Sequence, residues 1–303
     1  MKWRKLGLVF APDGRFPWMR THASLPIALR LKGDIYRAYF ASRDEQDRSH
    51  VGFVECDIKS PGKILYLSNE PVLTPGALGH FDDHGVYPGS LVANGGGLWM
   101  YYIGWNPGKR KPLFYSSIGL AVSRDMGRTF SRVSTAPIIG RSEFDPCLVT
   151  GPCVIKDGGL WRMWYVSGFK WEPQGDTLHS YYDVKYAESR DGITWNREGV
   201  VCIGHKPGER NISRPCVLKD GGVYRMWYSY NFGLGYRIGY AESADGYTWT
   251  RRDEEAGIDL SLEGWDSEAL AYPWVFRHEG TTYMLYNGNE FGRHGFGLAQ
   301  FEV

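Results

Sequence analysis

The chain has 303 residues, with 35 Lys and Arg against 34 Asp and Glu and a formal net charge of +1. That balance excludes a nucleic acid or an acidic membrane held by bulk charge. Hydrophobic residues are 43% and charged residues 23%, which excludes a disordered chain and predicts a packed core in one domain spanning 1–303.

The N-terminal segment MKWRKLGLVFAPDG carries an apolar run of only four residues, too short for a signal peptide. No run approaches the length of a transmembrane helix, so a cytoplasmic protein is expected. Within the segment, WRKLGLVF (3–10) reads as an isolated strand. Then a pattern of about 60 residues begins. YRAYF ends at Phe40, LWMYY at Tyr102, WRMWY at Tyr165, YRMWY at Tyr228 and YMLY at Tyr286, at spacings of 62, 63, 63 and 58. A proline stands 13 or 14 residues before each, at Pro26, Pro88, Pro152, Pro215 and Pro273. After each comes a second strand signal: HVGFVE, SIGLAVS, VKYAES, IGYAES and FGLAQ. Three copies continue into SRDMGRTF (123–130), SRDGITW (189–195) and SADGYTW (243–249).

Each copy reads as four antiparallel strands joined by glycine-rich turns. Five copies predict an all-β, five-bladed β-propeller of four-stranded antiparallel blades. The last copy is one strand short, so residues 3–10 are expected to close the ring by pairing with it, hiding an edge that would otherwise be exposed. Twelve Trp, 20 Tyr, 14 Phe and 39 Gly suit short strands and tight turns, and some of the rings suit stacking on sugars. The five cysteines, Cys56, Cys147, Cys153, Cys202 and Cys216, form no CxxC pair and read as reduced and mostly buried. No nucleotide-binding glycine loop, GxSxG or HExxH occurs, so neither a cofactor nor a metal is expected.

The segments MWYSYN and YRIGYAESADGYTWTRR (within 226–252) and MLYNGNEFGRHGFGLA (284–299) resemble the five-bladed propeller glycoside hydrolases and phosphorylases of families 32, 43, 68 and 130. The resemblance implies an oligosaccharide or sugar-conjugate substrate in a central funnel. SRDMGRTF is similar to the Asp-box turn of many propellers, a structural motif. Two positions depart from the families' pattern. Leu25 stands where families 32 and 43 carry an Asp before the first proline, and Thr150 and Gly151 precede the third.

The segments leading into the five prolines should meet at the funnel mouth, and all carry charge. Glycosyl transfer needs two carboxyl groups flanking the scissile bond. Asp83 and Glu268, each five residues before its proline, are the candidates for base or nucleophile and for proton donor, with Asp145 as an orienting carboxylate. The recurring HFD, EFD and GWD also read as loop braces at Asp82, Asp145 and Asp266. Arg20, His22, His84 and Arg214 supply cations or titrating groups; Arg214 suits a carboxylate or phosphate. Trp105 and Trp171 are candidate stacking platforms, Tyr87 and Tyr272 funnel walls, and Asn231, Asn287 and Glu290 partners for hydroxyls. The alternative function is a non-hydrolytic propeller that binds glycan or supports a sugar transferase in polysaccharide synthesis.

Overall fold

A computed structural model describes residues 1–233 and 235–302. After an N-terminal strand, β1 (Lys2–Phe10), strands come in fours that follow the sequence repeat. Unit one holds β2 (Thr21–Lys32), β3 (Ile35–Arg43), β4 (Ser49–Asp57) and β5 (Ser60–Leu67). Unit two holds β6 (Gly85–Asn94), β7 (Gly97–Pro107), β8 (Phe114–Ser123) and β9 (Ser131–Arg132). Unit three holds β10 (Leu148–Asp157), β11 (Leu160–Gln174), β12 (Thr177–Ser189) and β13 (Val201–Ile203). Unit four holds β14 (Asn211–Asp220), β15 (Val223–Asn231), β16 (Tyr236–Ser243) and β17 (Thr250–Arg251). Unit five has three of its own, β18 (Ala271–His278), β19 (Thr281–Asn287) and β20 (Phe296–Glu302). Its fourth place is taken by β1, antiparallel to β20 with Lys2 opposite Glu302.

Within each unit the strands pair antiparallel in sequence order. Single parallel pairs, Ser49 with Gly85 and Tyr182 with Asn211, tie unit one to two and three to four. The core lies between units. One apolar layer joins Tyr39 and Val51 to Val86 and Met100, the next Tyr101 to Met163, the next Trp164 to Met226, and the next Trp227 to Met284. A fifth joins Phe40 of unit one to Leu285 and Phe296 of unit five. Trp274 borders three of these layers.

The repeated motif has two working faces. Its penultimate ring reaches the next unit. Tyr39 Oη donates to the Gly127 carbonyl (2.8 Å), Tyr101 Oη to Gly192 (2.9 Å) and Trp164 Nε1 to Gly246 (2.8 Å). These glycines belong to the turns SRDMGRTF, SRDGITW and SADGYTW. There Ser123, Ser189 and Ser243 accept from the glycine N–H, and backbone N–H groups of Thr194 and Thr248 hold Asp191 and Asp245 down to about 2.

The last ring of the motif holds its own unit's entry loop. Tyr102, Tyr165 and Tyr286 donate to Asp82, Asp145 and Asp266, all three buried. A cation from the fourth strand or the segment entering it completes each set: Arg132 on Asp82 (2.8 Å), Arg197 on Asp145 (2.8 Å) and Lys5 on Asp266 (2.7 Å). Unit four uses a variant, with Arg251 on both oxygens of Glu209 and Tyr228 on Asp253. In this scheme β1 behaves as a fourth strand chemically as well. Trp3 meets Trp227 edge-on at 6.1 Å, as Trp249 meets Trp164 at 6.0 Å, and Lys5 stands two residues on, as Arg197 does after Trp195.

Removing one member of a buried ion pair leaves an uncompensated charge, at a cost of about 3–5 kcal/mol. Asp145→Ala is therefore expected to lower the unfolding free energy by that order, seen as a lower urea midpoint, stranding Arg197 and the Tyr165 hydroxyl. An unchanged midpoint would contradict the bracing role.

Candidate functional site

Every first strand breaks register at its proline, between Ser24 and Ile27, Pro88 and Ser90, Thr150 and Cys153, Ser213 and Cys216, and Ala271 and Trp274. Such bulges re-aim side chains. At four of the five, the residue before the proline takes left-handed backbone: Leu25 (φ 54°), Gly151 (53°), Arg214 (53°) and Tyr272 (57°). Only Gly151 does so without a Cβ cost, which is about 1–2 kcal/mol for the others. All four, with Tyr87 at the fifth position, line one cavity of about 480 Å³.

All five units contribute to this cavity. Its wall is largely aromatic: Tyr87, Trp105, Phe114, Tyr182, Tyr236, Tyr272 and Phe291. Polar groups are His22, Ser24, Arg43, Ser116, Thr150, Ser213 and Arg214. Among the described residues, no Asp or Glu side chain lines it. A shallower groove of about 350 Å³ shares five of the rings and adds His179, Arg210, Asn211 and Asn231.

The cations differ in their partners. Arg43 bonds Asp47 (2.7 Å) and the Tyr87 hydroxyl (3.1 Å). Arg214 is 2% exposed, and among the described residues none of its three guanidinium nitrogens has a hydrogen-bond partner. Burial draws its pKa down to about 10. His22 accepts or donates at Thr21 Oγ1 (2.9 Å). Burial first, then Arg43 and Arg293, pull its pKa to about 4 against the opposing charges of Asp47 and Glu290.

Of the residues chosen from sequence, His22, Tyr87, Trp105, Arg214 and Tyr272 are brought together here. Trp105 is fixed by its Nε1–H on Ser49 (2.8 Å), and His84 packs edge-on behind it at 4.5 Å, outside the lining. Trp171 stands one ring back, against Phe114 at 5.7 Å, in the extended β11–β12 hairpin that forms the long 168–183 insertion. Asn231 lines the adjoining groove. Glu290 is exposed, bonded to Arg293 and His294, next to Phe291 at the rim.

The remaining candidates lie elsewhere. Arg20 is exposed and paired with Glu45. Asn287 is fully buried, accepting from Leu25 N–H and donating to the Ala23 and Gly295 carbonyls, so its amide joins β19 to β2. Asp83 does not line the cavity. Its oxygens take Gly79 N–H (2.8 Å) and the Asn106 amide, one residue beyond Trp105 and on the opposite side of β7. Asp145 is bound by Tyr165, Arg197 and Ser142. Glu268 is exposed, with its backbone N–H on Asn289 Oδ1. These three are not assembled in the cavity wall.

Sequence reasoning missed Arg43, Phe114, Tyr182, Tyr236 and Phe291. Tyr182 and Tyr236 had a usable signal: each stands seven residues before the serine that ends VKYAES or IGYAES, where unit two has Ser116.

Two curated relatives, the uncharacterized proteins MT1551 and Rv1502 of two Mycobacterium tuberculosis strains, are each 45% identical over their full length and that of this protein. This chain therefore belongs to their family. No protein-family profile matches it. A 1,2-beta-oligomannan phosphorylase of Thermoanaerobacter is 28% identical over 141 residues, 46% of this chain and 45% of that one. Among solved structures, a glycoside hydrolase superposes with a TM-score of 0.76 at 20% identity, covering 99% of this chain and 91% of that one. A thermostable family-43 glycoside hydrolase gives 0.66 at 15%, covering 97% and 93%. The fold is thus all-β and that of propeller glycoside hydrolases, the superfamily the strand motifs resemble.

The depressed pKa of His22 gives a signed expectation. Between pH 6.5 and about 4 the unfolded chain takes a proton that folded His22 refuses, so acidification through that window costs stability. His22→Asn should remove about 1–3 kcal/mol of that fall, read from urea midpoints across the window. A parallel pH profile in the variant would contradict it.

Proposed function

We propose that this chain is a carbohydrate-active, single-domain propeller of five four-stranded blades, closed by β1, which takes a saccharide into the axial cavity. The cyclic order of the interunit layers and the place of β1 beside β20 support the ring. The observation that carries the functional reading is an aromatic-walled cavity of about 480 Å³ to which all five units contribute. Trp105, Tyr87 and Tyr272 offer flat apolar faces, while Ser24, Thr150 and Ser213 offer hydroxyls, the mixture that sugar rings require. The resemblance to glycoside hydrolases and to an oligomannan phosphorylase agrees with it.

Cleavage or transfer of a glycosyl unit calls for a protonated and an ionised carboxyl group across the bond. In the enzymatic form of this proposal Asp83 and Glu268 act from the mouth, above a wall that carries no acid, with Asp145 stiffening the loop between them. A second form, glycan binding without cleavage in support of a sugar transferase, is favoured by a specific observation: among the described residues the lining holds no carboxylate, and Leu25 occupies the place of the families' first-blade Asp. A cytoplasmic site of action, on an oligosaccharide or sugar conjugate, belongs to either form.

Screening oligosaccharides by thermal shift, then incubating each binder with and without phosphate, separates the two. Trp105→Ala should weaken any binder about tenfold or more. Turnover with a bell-shaped pH profile, lost in Asp83→Asn and in Glu268→Gln, establishes the enzymatic form. Turnover unchanged in both variants removes those two residues from the chemistry. Binding without product establishes the second form, and no binding by any sugar refutes the proposal.

A further inference from the structure

Arg214 stands apart from the other arginines that reach into the interior. Arg37 has Glu55, Arg132 has Asp82, Arg197 has Asp145 and Arg251 has Glu209. Arg214 is fully inside the protein, yet its Nε, Nη1 and Nη2 meet no acceptor. Its guanidinium lies 5.8 Å from the Trp274 ring centroid, a cation–π contact that offsets part of its desolvation and supplies no hydrogen bond. A buried unpaired cation is expensive, and natural proteins keep one where something else neutralises it.

The protein's own candidates for that role are few. Among the described residues, no carboxylate lines the cavity that Arg214 borders. The thiols of Cys153 and Cys216 are close enough for their charge to be felt by Arg214. Each already accepts a backbone N–H, from Val217 (3.2 Å) and Val275 (3.1 Å), and Cys216 donates its S–H to the Val275 carbonyl (3.6 Å). Burial drives Cys216 well above the ordinary thiol value. Meanwhile the backbone at Arg214 is held in left-handed conformation, and the neighbouring inner strand presents Gly151, where a Cβ would come within 3.6 Å of the Arg214 backbone. Its unmatched N–H donors, arranged in a planar fork, suit two oxygens of one planar or tetrahedral oxyanion. Arg43 on the same wall reinforces the sign.

We infer that the saccharide taken by this cavity carries an oxyanion, a carboxylate or a phosphate, and that Arg214 is its seat while the aromatic wall holds the sugar. This rests on the saccharide reading above and names the ligand's chemical class. It separates uronic acids and sugar phosphates from the neutral sugars that an aromatic wall alone would accept.

The test is calorimetric titration and thermal shift of the full chain with glucose, glucuronate, glucose 1-phosphate and inorganic phosphate, on wild type, Arg214→Met, Arg43→Gln and Cys153→Ser. The expected result has four parts. Wild type binds at least one anionic sugar more tightly than glucose. Arg214→Met weakens that sugar roughly thirtyfold or more and leaves glucose alone. Its melting temperature without ligand equals or exceeds that of wild type, since an unpaired charge has gone. Cys153→Ser leaves anionic sugar affinity intact, which excludes a thiolate as the permanent partner.

Other outcomes overturn the inference. If glucose and anionic sugars bind equally and Arg214→Met changes neither, the oxyanion seat is wrong while the saccharide reading survives. If inorganic phosphate binds through Arg214 and no sugar does, the seat is real but the saccharide reading fails. If no anion raises the melting temperature, or if Arg214→Met does not fold, the charge is compensated by the fold itself. Arg43→Gln, whose parent side chain already has Asp47 and Tyr87, should weaken anion binding less than Arg214→Met; the reverse order would move the seat to the rim.

Discussion

The buried carboxylate held between a tyrosine hydroxyl and a cation is the contact on which the rest depends. It recurs in units two, three and five as Tyr102–Asp82–Arg132, Tyr165–Asp145–Arg197 and Tyr286–Asp266–Lys5. Unit four divides the same work between Glu209 and Asp253. Each set fastens a long entry loop to the second strand and to the last strand of its unit. An acid so engaged is costly to disturb and unavailable to a ligand. That resolves an apparent paradox of this protein: loops dense in Asp and Glu surround a cavity whose wall has none.

With the loops immobilised, the first strands can bend. A bulge at each proline and a left-handed residue before four of them turn side chains inward at one level. Backbone of this kind is unfavourable for Leu25, Arg214 and Tyr272 in isolation, and persists because braces and interunit layers over-determine it. Local strain is thereby concentrated at the one place where five units converge. Their side chains at that level are apolar, hydroxylic or basic, so the electrostatic character of the cavity follows from which residue precedes each proline.

Much of this was legible in sequence, and for physical reasons. The repeat of 62 or 63 residues, the glycine turns and the period-2 aromatics specify strands locally. The prolines mark the bulges because the ring removes a donor from the ladder. Tyr87, Trp105, Arg214 and Tyr272 stand at short offsets from those landmarks, which is why sequence alone places them beside the cavity wall they line. Asp83 and Glu268 were not distinguishable from cavity residues, because at the end of a loop a one-residue change reverses the side chain's direction. The dual use of the motif, one ring to the next unit and one to its own loop, needs coordinates: Tyr101 and Tyr102 are chemically identical and point to opposite layers. Arg43 was hidden for the opposite reason, since it ends a strand motif that sequence alone treats as finished.

The partnership of β1 with β20 sets an order on biosynthesis. Arg4 of β1 bonds Gln300 of β20, 296 residues further along the chain, so β1 waits for its partner for roughly 15–60 s at ordinary elongation rates. Until then β1 has no strand to pair with, and β19 keeps one edge unpaired. Exposed edges of that kind invite pairing with other chains, so the nascent protein is open to misassociation for as long as β20 is still to be made.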